Sequence, residues 1–253
     1  MSDMASPSQQ KIDIAASVRA AYTIVIDNAR LAINLALVPF AILVGAEFLA
    51  WLVGGGGWFG IMLAMLIQVG GFAVFGTAFI VRWHRFILLG ETVPESLFPP
   101  GWGIFFLTAV KVGLAVVVAA VVLVAIVGMM PSFLAFLLAI VGYLALALAW
   151  SRVSLAFPAA AIERPITLRE AWDVMEGNYW RLFACILGCY VPFGILRYVA
   201  ERIGEASPSI IWFVFEVIGL AVSFAGVAVV ASLLSDVYRG IYPPEPQAEH
   251  RAS

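Results

Sequence analysis

Residues 150–172 read WSRVSLAFPAAAIERPITLREAW. An apolar run carries Arg152 at one end, Pro158 in its middle and Glu163-Arg164-Pro165 at the other end, and then turns short and charged. A straight helix from Ser132 to Glu163 would be ~48 Å long, more than a ~30 Å hydrocarbon core holds. Arg152 is therefore expected to mark one bilayer surface. The segment SLAFPAAAIE either runs on beyond that surface as an extension or bends at Pro158. If the helix is straight, Arg152 and Glu163 share a face. They are then placed to clamp loops by ion pairs, with Arg181 and Glu170 as partners, or to bind anionic headgroups.

The charged part has a helix-start pattern. Thr167-Leu168-Arg169-Glu170 reads as a capping box, with the Thr167 hydroxyl accepting from the Glu170 N–H and the Glu170 carboxylate reaching back. Pro165 discourages the preceding helix from continuing. Leu168, Ala171, Trp172 and Met175 fall on one helical face, and Arg169, Glu170, Asp173 and Glu176 on the other. A helix this short and this two-faced is expected to lie in the bilayer interface as an elbow between spans.

The rest of the chain puts that elbow in a membrane. Of 253 residues, 63% are hydrophobic and 12% charged, with mean hydropathy +1.02. Soluble domains run near 45–50% apolar and about 25% charged. Six apolar runs approach the ~20 residues a spanning helix needs: roughly 30–53, 59–81, 103–128, 132–157, 180–200 and 209–235. The expected fold is an all-α, six-span integral membrane bundle with interfacial elbows. Residues 1–28 form a cytoplasmic N-terminal segment with an amphipathic helix, 29–240 the membrane domain and 241–253 a polar tail. The first ten residues are polar, so the first span reads as an uncleaved anchor. A net charge of −2 gives no reason to expect a nucleic-acid partner.

With the N-terminus in the cytoplasm, eleven of the fourteen Lys and Arg residues lie inside. Only Arg197 and Arg202 lie outside, interleaved with Glu201 and Glu205, and Lys111 falls within a span. This is the positive-inside pattern, with both termini cytoplasmic. Trp51, Trp58 and Trp212 then belong to an outer aromatic belt, and Trp83, Trp102, Trp150 and Trp180 to an inner one.

An internal repeat is also expected. SVRAAYTIVIDN (17–28) aligns without a gap to TLREAWDVMEGN (167–178), pairing Arg19 with Arg169 and Asn28 with Asn178. After short insertions, Arg30-Leu31 pairs with Arg181-Leu182 and Pro39-Phe40 with Pro192-Phe193. Each copy would be an elbow helix followed by two spans, both starting on the same side. Such repeats are parallel rather than inverted.

Charges inside spans cost about 2.5–3.5 kcal/mol on insertion scales, which makes them site candidates. Lys111 can line a polar cavity, bind a lipid phosphate or snorkel to the interface. Glu47 and Glu216 can share a proton or a cation, or stand as unrelated interfacial carboxylates. In VRWHRFILLGE (81–91), Arg82, His84 and Arg85 can bind acidic headgroups, His84 can sense pH, or the run is simply a positive stop signal. Cys185 and Cys189, at i,i+4, read as small buried side chains. No metal-ligand spacing or phosphate loop is present, and no Ser–His pair inside the membrane is expected. The chain is expected to be no enzyme and to need no cofactor.

RVSLAFPAAAIE (152–163), LREAW (168–172) and GNYWRLF (177–183) together resemble the glycerophosphoryl-diester-phosphodiesterase membrane-domain superfamily, including its YciC-like inner-membrane proteins. Arg152, Pro158, Glu163, Ala171, Gly177, Asn178, Trp180 and Arg181 occupy the motif places. ASLLSDVYRGIY (231–242) resembles the family's closing motif at Tyr238 and Arg239. The resemblance implies a polytopic protein of the bacterial inner membrane. The phosphodiesterase name belongs to a separate catalytic barrel for which this chain has no room.

Two functions follow as expectations. The first is a non-enzymatic protein that binds or moves lipid or a small amphipathic solute, through a polar cavity reached by Lys111, Glu47 or Glu216. The second is a scaffold or assembly factor for other membrane proteins, with an exposed face of small residues at Gly70-Gly71 and Gly76, or at Gly219 and Ala225-Gly226.

Overall fold

The computed structural model describes residues 11–92 and 96–243. The first ten residues, Pro94 and Glu95, and the tail with His250 and Arg251 lie outside the described residues. Every regular element among the described residues is helical: α1 (Ile14–Asp27), α2 (Ala29–Gly54), α3 (Gly57–Gly71), a π-helical turn (Phe72–Gly76), α4 (Thr77–Leu89), α5 (Trp102–Gly128), α6 (Ser132–Val153), α7 (Ala156–Ala161), α8 (Leu168–Val174), α9 (Tyr179–Glu205) and α10 (Ser209–Ile241). Six stretches are long and apolar enough to cross a membrane: Ala29–Gly54, Gly57–Leu89, Trp102–Gly128, Ser132–Ala161, Tyr179–Glu205 and Ile210–Ile241.

The second stretch runs to Leu89, well past the end expected at residue 81. Its last turns carry Arg82, Trp83, His84 and Arg85, all buried. Trp83 is no belt residue: its Nε1 donates to the Ala228 carbonyl and to Ser232 Oγ of α10.

α10 is the axis of the bundle and packs against α9, α1, α4, α2 and α7. α5 and α6 form a hairpin that leaves most of its length exposed. That hairpin joins the bundle through α7, α8, α4 and α9.

α1 follows α9 rather than standing apart from the spans. The Ile12 N–H donates to Asn178 Oδ1, and Arg181 Nη1 returns a bond to the Ile12 carbonyl. Further along, the Tyr22 hydroxyl donates to the carbonyls of Gly188 and Cys189, and Val18 packs on Gly188. α8 starts as expected, with Thr167 Oγ1 accepting from the Glu170 N–H at 3.0 Å. The Glu170 carboxylate does not complete the box; it accepts from the Tyr242 hydroxyl instead.

The quoted stretch breaks at Ser154-Leu155, one turn before Pro158. Proline has no N–H to give the carbonyl four residues back, and its ring crowds that carbonyl, here Ser154. The Ser154 carbonyl accepts from Phe157 instead, at 3.1 Å. The segment beyond is no exposed extension, because Leu155 through Ala161 are all buried. Alanine side chains allow this close packing. α7 then ends in a Schellman turn: Glu163 N–H donates to Ala160 O at 3.2 Å and Arg164 N–H to Ala159 O at 3.0 Å. Glu163 takes the left-handed conformation that this turn needs, at φ 60°.

Gly101, at φ 79°, seats the start of α5 against the end of α7, and a Cβ there would meet the Ala161 carbonyl oxygen at 2.5 Å. Gly101→Ala is expected to destabilise the protein by roughly 2–4 kcal/mol, combining left-handed strain with overpacking. Thermal unfolding in detergent, compared with Gly103→Ala, where a Cβ meets open space, measures the difference.

Candidate functional site

Four helix faces and the α7 turn enclose a partly open cavity of about 480 Å³. α4 contributes Thr77, Ile80 and His84; α5 contributes Phe105 and Ala109; α9 contributes Ile186 and Tyr190; α10 contributes Val227, Val230, Ala231 and Leu234. Along α4, α5 and α9 these residues recur at spacings of three or four, and on α10 Val227, Val230, Ala231 and Leu234 follow the i, i+3, i+4, i+7 pattern of one face. Trp150 of α6 and Phe157 of α7 complete the wall.

The cleft is apolar, and its few polar groups differ in availability. Thr77 Oγ1 donates to the Ala73 and Val74 carbonyls beside the π-helical turn, and accepts from Trp102 Nε1. His84 is 1% exposed, and its Nδ1 lies 2.7 Å from Ser235 Oγ, a Ser–His contact between two helices that is not expected from the sequence because its partners lie 151 positions apart. Among the described residues Nε2 makes no hydrogen bond, and it is not among the sealed, unpartnered atoms. A second apolar groove of about 430 Å³ lies between α2 and α10, with Ile33, Phe40 and Phe224 among its walls. Neither cavity is lined by Lys111, Glu47 or Glu216.

The basic groups next to the cleft, Arg82 and Arg85, are engaged inside the protein. Arg85 holds both oxygens of Glu91, at 2.7 and 2.6 Å. Its Nη1 donates to the carbonyls of Pro100 and Ala161, each at 3.2 Å, and lies 3.7 Å from Glu163. Arg82 donates to the Leu35 and Ser96 carbonyls, with Nε left buried and unpaired. Together these two arginines tie the segment after α4, the start of α5 and the end of α7 to one helix.

The expected shared face of Arg152 and Glu163 is lost, because the helix breaks at Ser154-Leu155 and Glu163 lies 3.7 Å from Arg85 instead. Arg152 instead lies between two rings, 4.3 Å from the Trp172 centroid and 4.4 Å from that of Tyr179. Such stacking is worth about 0.5–2 kcal/mol, depending on desolvation. Arg181 covers Trp180 while it anchors Ile12.

Lys111 is exposed on α5. Glu47 accepts from Gln68 Nε2 at 2.6 Å, and Glu216 lies in electrostatic reach of Glu47 and Arg197. Gln68 and Ser223, which bonds Arg197 at 2.7 Å, carried no distinguishing signal in the sequence. The expected small-residue docking face is largely turned inward. Gly71 meets Leu43, Gly226 meets Phe193 and Gly219 meets Arg197. Cys185 and Cys189 are buried free thiols, and no group of three or more potential metal ligands occurs among the described residues.

At the end of α10, the Tyr238 and Tyr242 rings meet tilted, 4.9 Å between centroids, and Arg239 donates to the Ile87 carbonyl. No family model, curated protein or solved structure matches the chain. The superfamily resemblance therefore rests on its motifs alone.

Two predictions follow from this geometry. Arg85→Gln is expected to cost about 2–3 kcal/mol, since it removes charge-assisted bonds and leaves carbonyls unpaired. Glu91→Gln should cost less, because the Glu91 side chain is 45% exposed. Thermal unfolding of the two variants in one detergent ranks them.

The Tyr242 hydroxyl is pushed up to about 12, first by burial and then by Glu170 and Tyr238. The folded chain thus holds this proton longer than the unfolded chain. Its contribution to stability is intact below the ordinary tyrosine value of 10.0 and is lost as pH rises through about 12. Phenolate absorbance should show one late-ionising tyrosine fewer in Tyr242→Phe.

Proposed function

We propose that this chain is a non-enzymatic polytopic protein of the bacterial inner membrane that binds or moves lipid or a small amphipathic solute. The carrying observation is the cleft beneath the α5–α6 hairpin. Its volume of about 480 Å³ lies within the roughly 300–1,000 Å³ of small-molecule sites. Its walls suit an acyl chain, and the hairpin above it has few attachments to the rest of the bundle.

The orientation reading draws support from charge. Arg82, Arg85, Arg152 and Arg181 gather at one end of the bundle, assigned to the cytoplasm. Arg197 and Arg202 sit at the opposite end, paired with Glu201 and Glu205. The repeat reading draws support from two breaks. α1 and α8 each lead to an asparagine before a long helix, Asn28 at φ −115° and Asn178 at φ −114°. Pro39 and Pro192 then lie inside those long helices. The scaffold alternative is less well supported, since Gly71, Gly219 and Gly226 serve internal packing.

Ala109 faces the cleft and is half-buried, so Ala109→Phe fills space without touching the arginine contacts. Native mass spectrometry of protein released in mild detergent should show several-fold less retained lipid for Ala109→Phe, at a similar unfolding temperature. Unchanged retention would remove the cleft from the reading.

A further inference from the structure

We infer that the cleft selects an uncharged long-chain lipid whose hydroxyl group hydrogen-bonds Nε2 of His84. This rests on the lipid-binding reading above and names its ligand class.

The argument starts from what the bilayer already offers. Lipid tails are as apolar as leucine, so moving a chain from bilayer to cleft gains little. Selection among lipids must come from polar contact. Thr77, His84, Trp150 and Tyr190 are the lining residues with a side-chain polar atom. Tyr190 is exposed and Trp150 half-buried, so both belong to the mouth, whereas Thr77 is fully engaged. His84 combines near-complete burial, a fixed ring and a free nitrogen.

Ser235 fixes that ring without fixing its proton. The serine hydroxyl can donate to Nδ1 or accept from it, so Nε2 can present either an N–H or a lone pair. A hydroxyl group answers both states, as donor or acceptor. An anionic head is disfavoured: no Lys, Arg, Asp or Glu lines the cleft. The arginines nearest along α4 are committed elsewhere, Arg82 to Leu35 and Ser96, and Arg85 to Glu91 and Ala161. A phosphate or carboxylate at this depth would lose its water with no counter-charge to replace it.

The chain holds two histidines, His84 and His250, which makes nitrogen NMR selective. Full-length protein labelled with nitrogen-15 histidine, in nanodiscs, is titrated with oleyl alcohol, with 9-octadecene and with oleate. His250→Ala assigns the remaining signals. Native mass spectrometry follows retention of the same probes. The expected result is a saturable shift at Nε2 of His84 with oleyl alcohol, and about tenfold weaker retention of the hydrocarbon, the worth of one hydrogen bond. His84→Phe should abolish that preference; if this variant fails to fold, the wild-type Nε2 shift decides alone. Stoichiometric retention of alcohol with unmoved His84 signals would overturn the His84 contact and leave the lipid-binding reading standing. Tighter binding of oleate would overturn the preference for an uncharged head. Retention of no probe would overturn both.

Discussion

A helix that stops inside a protein leaves carbonyl groups that water cannot reach, and each unmet carbonyl is costly. α7 is such a helix. It begins where Pro158 breaks the fourth span and ends two turns later among buried side chains. Its last carbonyls are met by the Schellman bonds to Glu163 and Arg164 and by the Arg85 guanidinium. The cation is well placed there, since a helix C-terminus carries partial negative charge. Burying Arg85 in turn requires its own charge to be met, which Glu91 does in bidentate fashion and Glu163 from further away. One stopped helix therefore dictates the path of the segment after α4, the position of Gly101 and the start of α5.

The cleft is a consequence of this clamp. α7 holds the α5–α6 hairpin at the arginine-rich end, through Phe157 against Phe105 and Trp150. Beyond that anchorage the hairpin has few contacts with α10, and space remains. The faces of α4, α9 and α10 that border the space carry Ile80, Ile186 and Val227 rather than charge. Large exposed side chains on α5 and α6, such as Leu114 and Phe136, are ordinary where the surroundings are lipid tails.

Much of this was legible in the sequence. Six apolar runs, two tight turns, the Thr167 cap and a proline break follow from local chemistry, and local chemistry is written in order along the chain. What failed involved partners distant in sequence. The second apolar run ends at residue 81, where an arginine pair reads as a stop signal, yet the helix continues to Leu89. Arg82 and Arg85 instead continue the helix, because loop carbonyls and Glu91 meet them, and no periodicity announces that. Arg152 and Glu163 were assigned one face on the assumption of a straight helix, and the break at Ser154 removed it. His84 was legible as a titratable group near a bilayer surface. Its role as cleft wall needed Ser235, which lies 151 positions away.

The same distinction bears on how a membrane protein can recognise its solvent. In water, a cleft of this size would attract any apolar chain, at about 0.8 kcal/mol for each methylene buried. Within a bilayer that term nearly cancels, since the chain leaves one apolar medium for another. A single hydrogen bond, a net ~0.5–1.5 kcal/mol in water-exposed proteins, then carries a larger share of the discrimination. The charges within apolar runs that the sequence singles out, Lys111, Glu47 and Glu216, do not line the cleft. An imidazole edge against an apolar wall is the kind of group suited to such a contact, because a fixed charge would need a counter-charge at every encounter, whereas a hydrogen bond needs only a hydroxyl.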